Sequence, residues 1–283
     1  MPFQDRPVVV GLEDKQPSAL RFAVEEARLT RTGLRVVHSA GIPAQDVDFY
    51  IGLGNATLDE LHRAGTAVLD RARQLIEDLD PTLDVQYVLS DRPPLTQLLK
   101  DSEDARSLIV GSDHVPWLER LMHTRIAGHL ALHAACPVYV VPEQEFVAHD
   151  GPGHVVLALD GETSADGPLR CALEEANARD CPLHILHAVP PGTLQADVEA
   201  ARVTIAEVMA GWRNLYPDVL VHEAVVMDAP ERALERVAPG AALVVVGRPH
   251  HRSLPVTLAR SVARAVLARA SCPVVVVADE TGR

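Results

Sequence analysis

The feature that most narrows the fold is an internal repeat: LIVGSDHVPW, from Leu108, and CPVYVVPE, from Cys136, return as VVVGRPHHRS, from Val244, and CPVVVVAD, from Cys272. The interval from Gly111 to Cys136 equals that from Gly247 to Cys272, so the copies agree in register and not only in composition. Their starts agree as well. PVVVGLEDKQPSALRFAVEEARLTRTGLRVVHSA parallels HVVLALDGETSADGPLRCALEEANARDCPLHILHAV, with Glu13 and Asp160 just past the first apolar run and His38 and His187 near the end of the second. A chain built this way folds as two similar units. The expected domains are 1–142 and 153–283, and the polar stretch 143–152, EQEFVAHDGP, reads as a linker because it carries Gly151 and Pro152 and no sustained periodicity.

Each copy alternates short apolar runs with amphipathic ones. In the first, strands are predicted at Val8–Gly11, Leu34–Val37, Asp84–Leu89, Ser107–Val110 and Val138–Val141. Helices are predicted at Ser18–Leu29, Thr57–Leu79, Leu95–Asp101 and Arg120–Ala134. The second copy repeats the order through Val155–Leu159, Pro168–Ala178, His184–Leu186, Gln195–Leu215, Leu220–Val226, Glu231–Val237, Leu243–Val246, Val256–Ala268 and Val274–Val277. Continuous apolar strands separated by helices imply an α/β fold: two open α/β sandwiches, each a mostly parallel five-stranded sheet covered by helices. Exposed valine-rich edges invite pairing, so Val138–Val141 and Val274–Val277 are expected to cover one another in an intrachain pseudo-dimer, with a homodimer or larger assembly as the alternative.

Charge and composition remove several function classes. A formal net charge of −13 without a basic cluster argues against nucleic acid as a partner, while leaving a basic protein partner open. The valine runs are too short to cross a membrane, and the start MPFQDRPVVVG lacks the basic and then apolar pattern of a secretory leader, so a cytoplasmic location is expected. Cys136, Cys171, Cys181 and Cys272 have neither metal-ligand spacing nor the density of a disulfide framework, and are read as buried free thiols.

In an open parallel sheet, ligands lie beyond the carboxyl ends of the strands where strand order reverses, which is where Gly111 and Gly247 end their strands. A glycine there admits a phosphate or simply permits a tight turn. Neither segment is a Walker A loop and neither first turn carries GxGxxG, which disfavours P-loop hydrolysis and dinucleotide-dependent dehydrogenation.

The repeated plan VVVG, ALRFAVEEA, LRVVHS, LIVGS, CPVYVV, echoed by VVLALDG, PLRCALEEA, LHILHAV, LVVVG, CPVVVV, resembles the universal stress protein family across nearly all of both copies. The resemblance implies a role in stress adaptation. In nucleotide-binding members an early acidic residue contacts the nucleoside, and a Gly-x2-Gly-x9-Gly-Ser/Thr signature after the fourth strand holds phosphates. The first copy has Glu13 and Gly111, but His114 at the second glycine and Thr124 and Arg125 in place of the final pair. The second keeps Asp160 and Gly247, has His250 and Arg260 at the next two glycine positions, and retains Ser261. The resemblance therefore favours the second site. There it implies that Asp160 accepts from the ribose, that backbone near Ala188 and Asp228 frames adenine, and that Gly247, Arg260 and Ser261 approach phosphate. The implied cofactor is ATP or another adenine nucleotide, with magnesium held through its phosphates. Histidine or arginine in place of glycine adds bulk to a phosphate turn, although Arg260 can compensate with charge-assisted hydrogen bonds.

Two readings stay open: non-catalytic nucleotide sensing, and a degenerate fold serving as a nucleotide-independent regulatory or scaffold protein. No catalytic residue is assigned, because no confident base or magnesium cage is present and any ATP hydrolysis is expected to be slow. Adjacent His250 and His251 do not by themselves make a convergent metal site, so no metal site is assigned. Nothing places a base and an orienting carboxylate around Ser261 as a nucleophile. His38 and His187 are read as structural residues. Trp117 and Trp212 are read as packing or partner-recognition residues.

Overall fold

A computed structural model of the chain describes residues 6–14, 16–40, 55–112, 120–143, 153–159, 166–248 and 272–278; for 55–58, 120–125, 231 and 235 it describes the backbone. The chain divides into two compact units, Met1–Glu145 and Phe146–Arg283.

In the first unit the order is β1 (Val8–Gly11), α1 (Pro17–Thr30), β2 (Leu34–Ser39), α2 (Asn55–Leu79), β3 (Val85–Ser90), α3 (Pro94–Asp101), β4 (Ser107–Ser112), α4 (Arg120–His133) and β5 (Val138–Pro142). Its strands lie in the order β3-β2-β1-β4-β5 and every pair is parallel. The chain thus moves outward from β1 through β2 to β3, then crosses back to β4 on the other side of β1. Helix α1 packs on α2 and α3 on α4, as expected where right-handed crossovers put the first pair on one face of the sheet and the second pair on the other. Burial follows from this covering: Val8, Val9, Val10, Leu108, Ile109, Val138 and Val141 are buried, as continuous apolar strands require when both faces are shielded.

Local chemistry sets the helix ends. Pro17 and Pro94 open α1 and α3, where an N–H would have no intrahelical acceptor, so its absence in proline forfeits no bond. Helix α1 stops on Arg31 in the left-handed conformation (φ 54°), with the Thr32 N–H donating to the carbonyl of Ala27 over 3.0 Å.

The second unit contains β6 (His154–Leu159), α5 (Asp166–Ala178), β7 (Leu183–Val189), α6 (Gln195–Trp212), β8 (Val221–Met227), α7 (Pro230–Val237), β9 (Ala241–Gly247) and β10 (Val274–Val277). The order β10-β9-β6-β7-β8, again all parallel, reproduces the first sheet strand for strand. The corner after α5 repeats too: Asp180 is left-handed (φ 51°) and the Cys181 N–H donates to the carbonyl of Ala176 over 3.0 Å. Two parallel-sheet α/β units are therefore present, as the repeat implies.

The structure adjusts several boundaries. Helix α6 ends at Trp212 rather than Leu215, in a turn where the Leu215 N–H donates to the Trp212 carbonyl over 3.0 Å, because Pro217 disfavours helical backbone at the residue before it. Strand β7 runs to Val189, three residues past the expected end, since its pairing with β8 continues to Met227. The helix expected at Val256–Ala268 lies outside the described residues. Cys136, Cys181 and Cys272 are buried free thiols, whereas Cys171, on α5, is half-buried. Trp212 packs within its own unit: the Arg170 guanidinium lies 5.7 Å from its ring centre and Tyr216 stacks at 6.4 Å. Trp117 lies outside the described residues. Among the described residues no helix is long and apolar enough to cross a membrane.

Candidate functional site

The strand order of the first unit reverses between β1 and β4, so their carboxyl ends frame the crevice where an open α/β sheet takes a ligand. A cleft of about 120 Å³ lies there. Its walls are the end of β1 with the following turn (Gly11, Leu12, Glu13, Gln16), the end of β2 (Val37, His38, Ser39), the end of β4 (Val110, Gly111), and Pro94, Leu98, Ile126 and Ala127 from α3 and α4. Two of the residues singled out in the sequence, Glu13 and Gly111, are thus brought together from strands that are neighbours in the sheet but distant in sequence.

Both glycines at the strand ends answer to close approaches. A methyl group on Gly11 would sit 2.8 Å from Leu98 Cδ1, so the missing side chain lets α3 seat Leu98 over β1. On Gly111 it would sit 2.7 Å from Cδ of Gln16, whose carboxamide lies directly over the end of β4. Gln16 is buried, and its Oε1 accepts from the backbone N–H of Glu13 over 3.3 Å. Close by, Glu143 Oε1 accepts from both the backbone N–H and the hydroxyl of Ser18, at 3.3 and 3.0 Å, and so satisfies a free donor at the start of α1.

His38 has a defined structural task. Its Nδ1 lies 2.8 Å from the carbonyl oxygen of Leu12, and a carbonyl can only accept, so this nitrogen carries the proton. Gly65 on α2 lets the helix approach the same ring, since a methyl there would lie 3.0 Å from His38 Cδ2. The second unit repeats the device, with His187 Nδ1 3.0 Å from the Leu159 carbonyl. His38 thereby ties β2 to the residue just past β1, and His187 ties β7 to the last residue of β6.

The remaining second-unit candidates separate. Ala188 lies on β7 and Asp228 directly follows β8, joined to β7 by its N–H donating to the Val189 carbonyl over 3.1 Å. The carboxylate of Asp228 is engaged, accepting from the Ala229 N–H at 2.8 Å and pairing with Arg236. Gly247 ends β9, and the Arg248 N–H donates to the Val277 carbonyl over 2.7 Å. Asp160, His250, His251, Arg260 and Ser261, with His114 of the first unit, lie outside the described residues. Thr124 and Arg125 fall on α4, where the backbone alone is described.

Sequence reasoning missed Gln16, Leu98, Ile126 and Ala127. Gln16 alone had a signal: it stands in the same turn as Glu13 and immediately precedes Pro17 at the start of α1.

The model of the universal stress protein family matches residues 6–142 and again 152–278. The chain belongs to the universal stress protein family, as a tandem member. It is 29% identical over 286 residues to a universal stress protein of Mycobacterium tuberculosis strain H37Rv, covering 95% of each chain. It is 30% identical over 284 residues to one of Mycolicibacterium smegmatis, covering 95% of this chain and 96% of the other. In fold it is similar to the crystal structure of a universal stress protein from Archaeoglobus fulgidus, with a TM-score of 0.75, 17% identity and full coverage of both chains.

Proposed function

We propose that this universal stress protein binds ATP or another adenine nucleotide in at least one of its two domains and acts as a sensor without rapid turnover. The observation that carries this reading is the crevice between β1 and β4, where an acidic residue, Glu13, and a bare strand end, Gly111, share one cleft at the topological switch point. In the second domain the same roles go to Asp160 for the ribose, to backbone at Ala188 and Asp228 for adenine, and to Gly247, Arg260 and Ser261 for phosphate. Magnesium enters through the phosphates rather than through a protein cage. Solved universal stress protein structures include complexes with dAMP and with cAMP, each matching 44% of this chain. Those ligands belong to those proteins; for this chain the reading rests on its own crevice.

Calorimetric titration of nucleotide-free protein with ATP and magnesium, with AMP and GTP as comparators, tests it. Saturable, adenine-selective heat weakened by Asp160→Ala or Arg260→Ala is the expected result. Absence of heat at millimolar nucleotide from a folded sample overturns the reading. It would favour the nucleotide-independent scaffold, for which a specific observation also speaks: the first-domain cleft, at about 120 Å³, is smaller than the roughly 300 Å³ at which ligand clefts usually begin. The intrachain pseudo-dimer belongs to the same proposal. A scattering mass equal to one chain of 30.6 kDa fits it, and a multiple identifies a homodimer or larger assembly. Cytoplasmic residence and the 143–152 linker are likewise proposed, the linker being testable by limited proteolysis.

A further inference from the structure

We propose that the first domain carries its own plug: the carboxamide of Gln16 occupies the floor of the crevice over Gly111 and must swing out before a nucleotide can enter. This rests on the reading of the crevice as an adenine-nucleotide site and adds its regulation.

Three observations support the plug. The point where a side chain on Gly111 would begin lies 2.7 Å from Cδ, 2.8 Å from Oε1 and 2.9 Å from Nε2 of Gln16, so the whole amide group is laid against the bare end of β4. Gln16 is only 7% exposed although it stands in a turn, and burial of a polar amide at such a position calls for internal partners. One of these is the Glu13 N–H, 3.3 Å from Oε1. The amide thus covers the glycine floor, which the nucleotide reading assigns to a ligand, and is anchored there by a backbone donor of the turn that carries Glu13.

The cleft left beside it is correspondingly small, about 120 Å³. At Gly247 the corresponding point has one close neighbour among the described residues, Pro168 Cγ at 3.4 Å. Opening requires rotation about the three side-chain torsions of Gln16, with β1 and α1 left in place. A site competent only when its plug is out binds with an affinity reduced by the competent fraction. Removing the plug is expected to tighten first-domain binding roughly tenfold, the scale of one lost internal hydrogen bond and its packing.

The test is calorimetry of the full chain with AMP and with ATP and magnesium, comparing the parent protein with Gln16→Ala. Gln16→Asn, which withdraws the amide by one methylene and keeps its polarity, serves as a second variant should alanine prevent folding, as judged from unfolding midpoints. Tighter binding, or an additional equivalent of bound nucleotide, in a Gln16 variant supports the plug. Saturable binding by the parent with unchanged affinity and stoichiometry in both variants overturns the plug and leaves the nucleotide reading standing. No heat from any of the three overturns both. Binding by a variant but not by the parent supports the plug and counts against sensing by the native chain.

Discussion

The ring of His38 and the carbonyl of Leu12 form a 2.8 Å hydrogen bond that the second unit repeats between His187 and Leu159 at 3.0 Å. The bond fixes the turn leaving β1, which carries Glu13, relative to the end of β2, and in the copy it ties β7 to the last residue of β6. His187 is 8% exposed, so its removal leaves both a cavity and a carbonyl without its side-chain donor. We expect His187→Ala to cost about 2 kcal/mol. His187→Asn, whose amide nitrogen can stand in for Nδ1, should recover part of that loss. Denaturant titration of both variants checks the order; equal stabilities would count against the hydrogen bond as the cause.

A second relation concerns Glu175 on α5 and Arg179 just past its end, four residues apart, with side chains only 8% and 7% exposed. A buried pair of this kind adds little over an apolar replacement, yet is expensive to break on one side. Arg179→Met is expected to cost about 3 kcal/mol, and the double variant Glu175→Gln, Arg179→Met less than the single one. A double variant no more stable than the single would contradict this account. In the first copy Thr30 stands at the position of Arg179 and donates instead to the carbonyl of Glu26 over 2.6 Å.

Strands and helices were legible because their signals are local. Val8–Gly11 and Val274–Val277 read as strands from composition, and the helices expected from Ser18 and Leu95 begin one residue earlier, at Pro17 and Pro94. The placing of Glu13 and Gly111 at one site came instead from the resemblance to the universal stress protein family, which assigns an early acidic residue and a strand-end glycine to one ligand. The packing of Gln16 over Gly111 was not legible, since neither residue's neighbours in sequence signal an approach that exists only once β1 and β4 are paired. The same holds for the rings of His154, His184 and His222. Their positions in sequence are unrelated, and the registers of β6, β7 and β8 gather them.

Thiol reactivity should separate the four cysteines. Burial pushes the Cys272 thiol up to about 11 and raises that of Cys181, which leaves little thiolate at neutral pH. Cys136 is buried as well, whereas Cys171 is half-buried. With an aromatic disulfide reagent at pH 8, native protein should show one fast thiol, abolished by Cys171→Ser, and the other three only on unfolding. A fast phase that survives Cys171→Ser would show that exposure does not govern reactivity here.

The histidine row gives the second unit an acid sensitivity whose sign can be worked out. His184 stacks on His154 at 4.4 Å between ring centres and meets His222 edge-on at 4.9 Å. Burial first, and then the charges that His154 and His222 would carry, lower its pKa from the ordinary value of 6.5. The unfolded chain therefore takes up a proton on this residue at a higher pH than the folded one, and stability falls wherever the unfolded state binds more protons. The contribution is fully present above about pH 6.5 and is lost as pH drops through and below that value. We expect the unfolding midpoint of the protein to decline between pH 7.5 and 5, and His184→Phe, which keeps a ring in the stack without a titrating group, to flatten the decline. A variant with the same pH slope as the parent would place the acid sensitivity elsewhere.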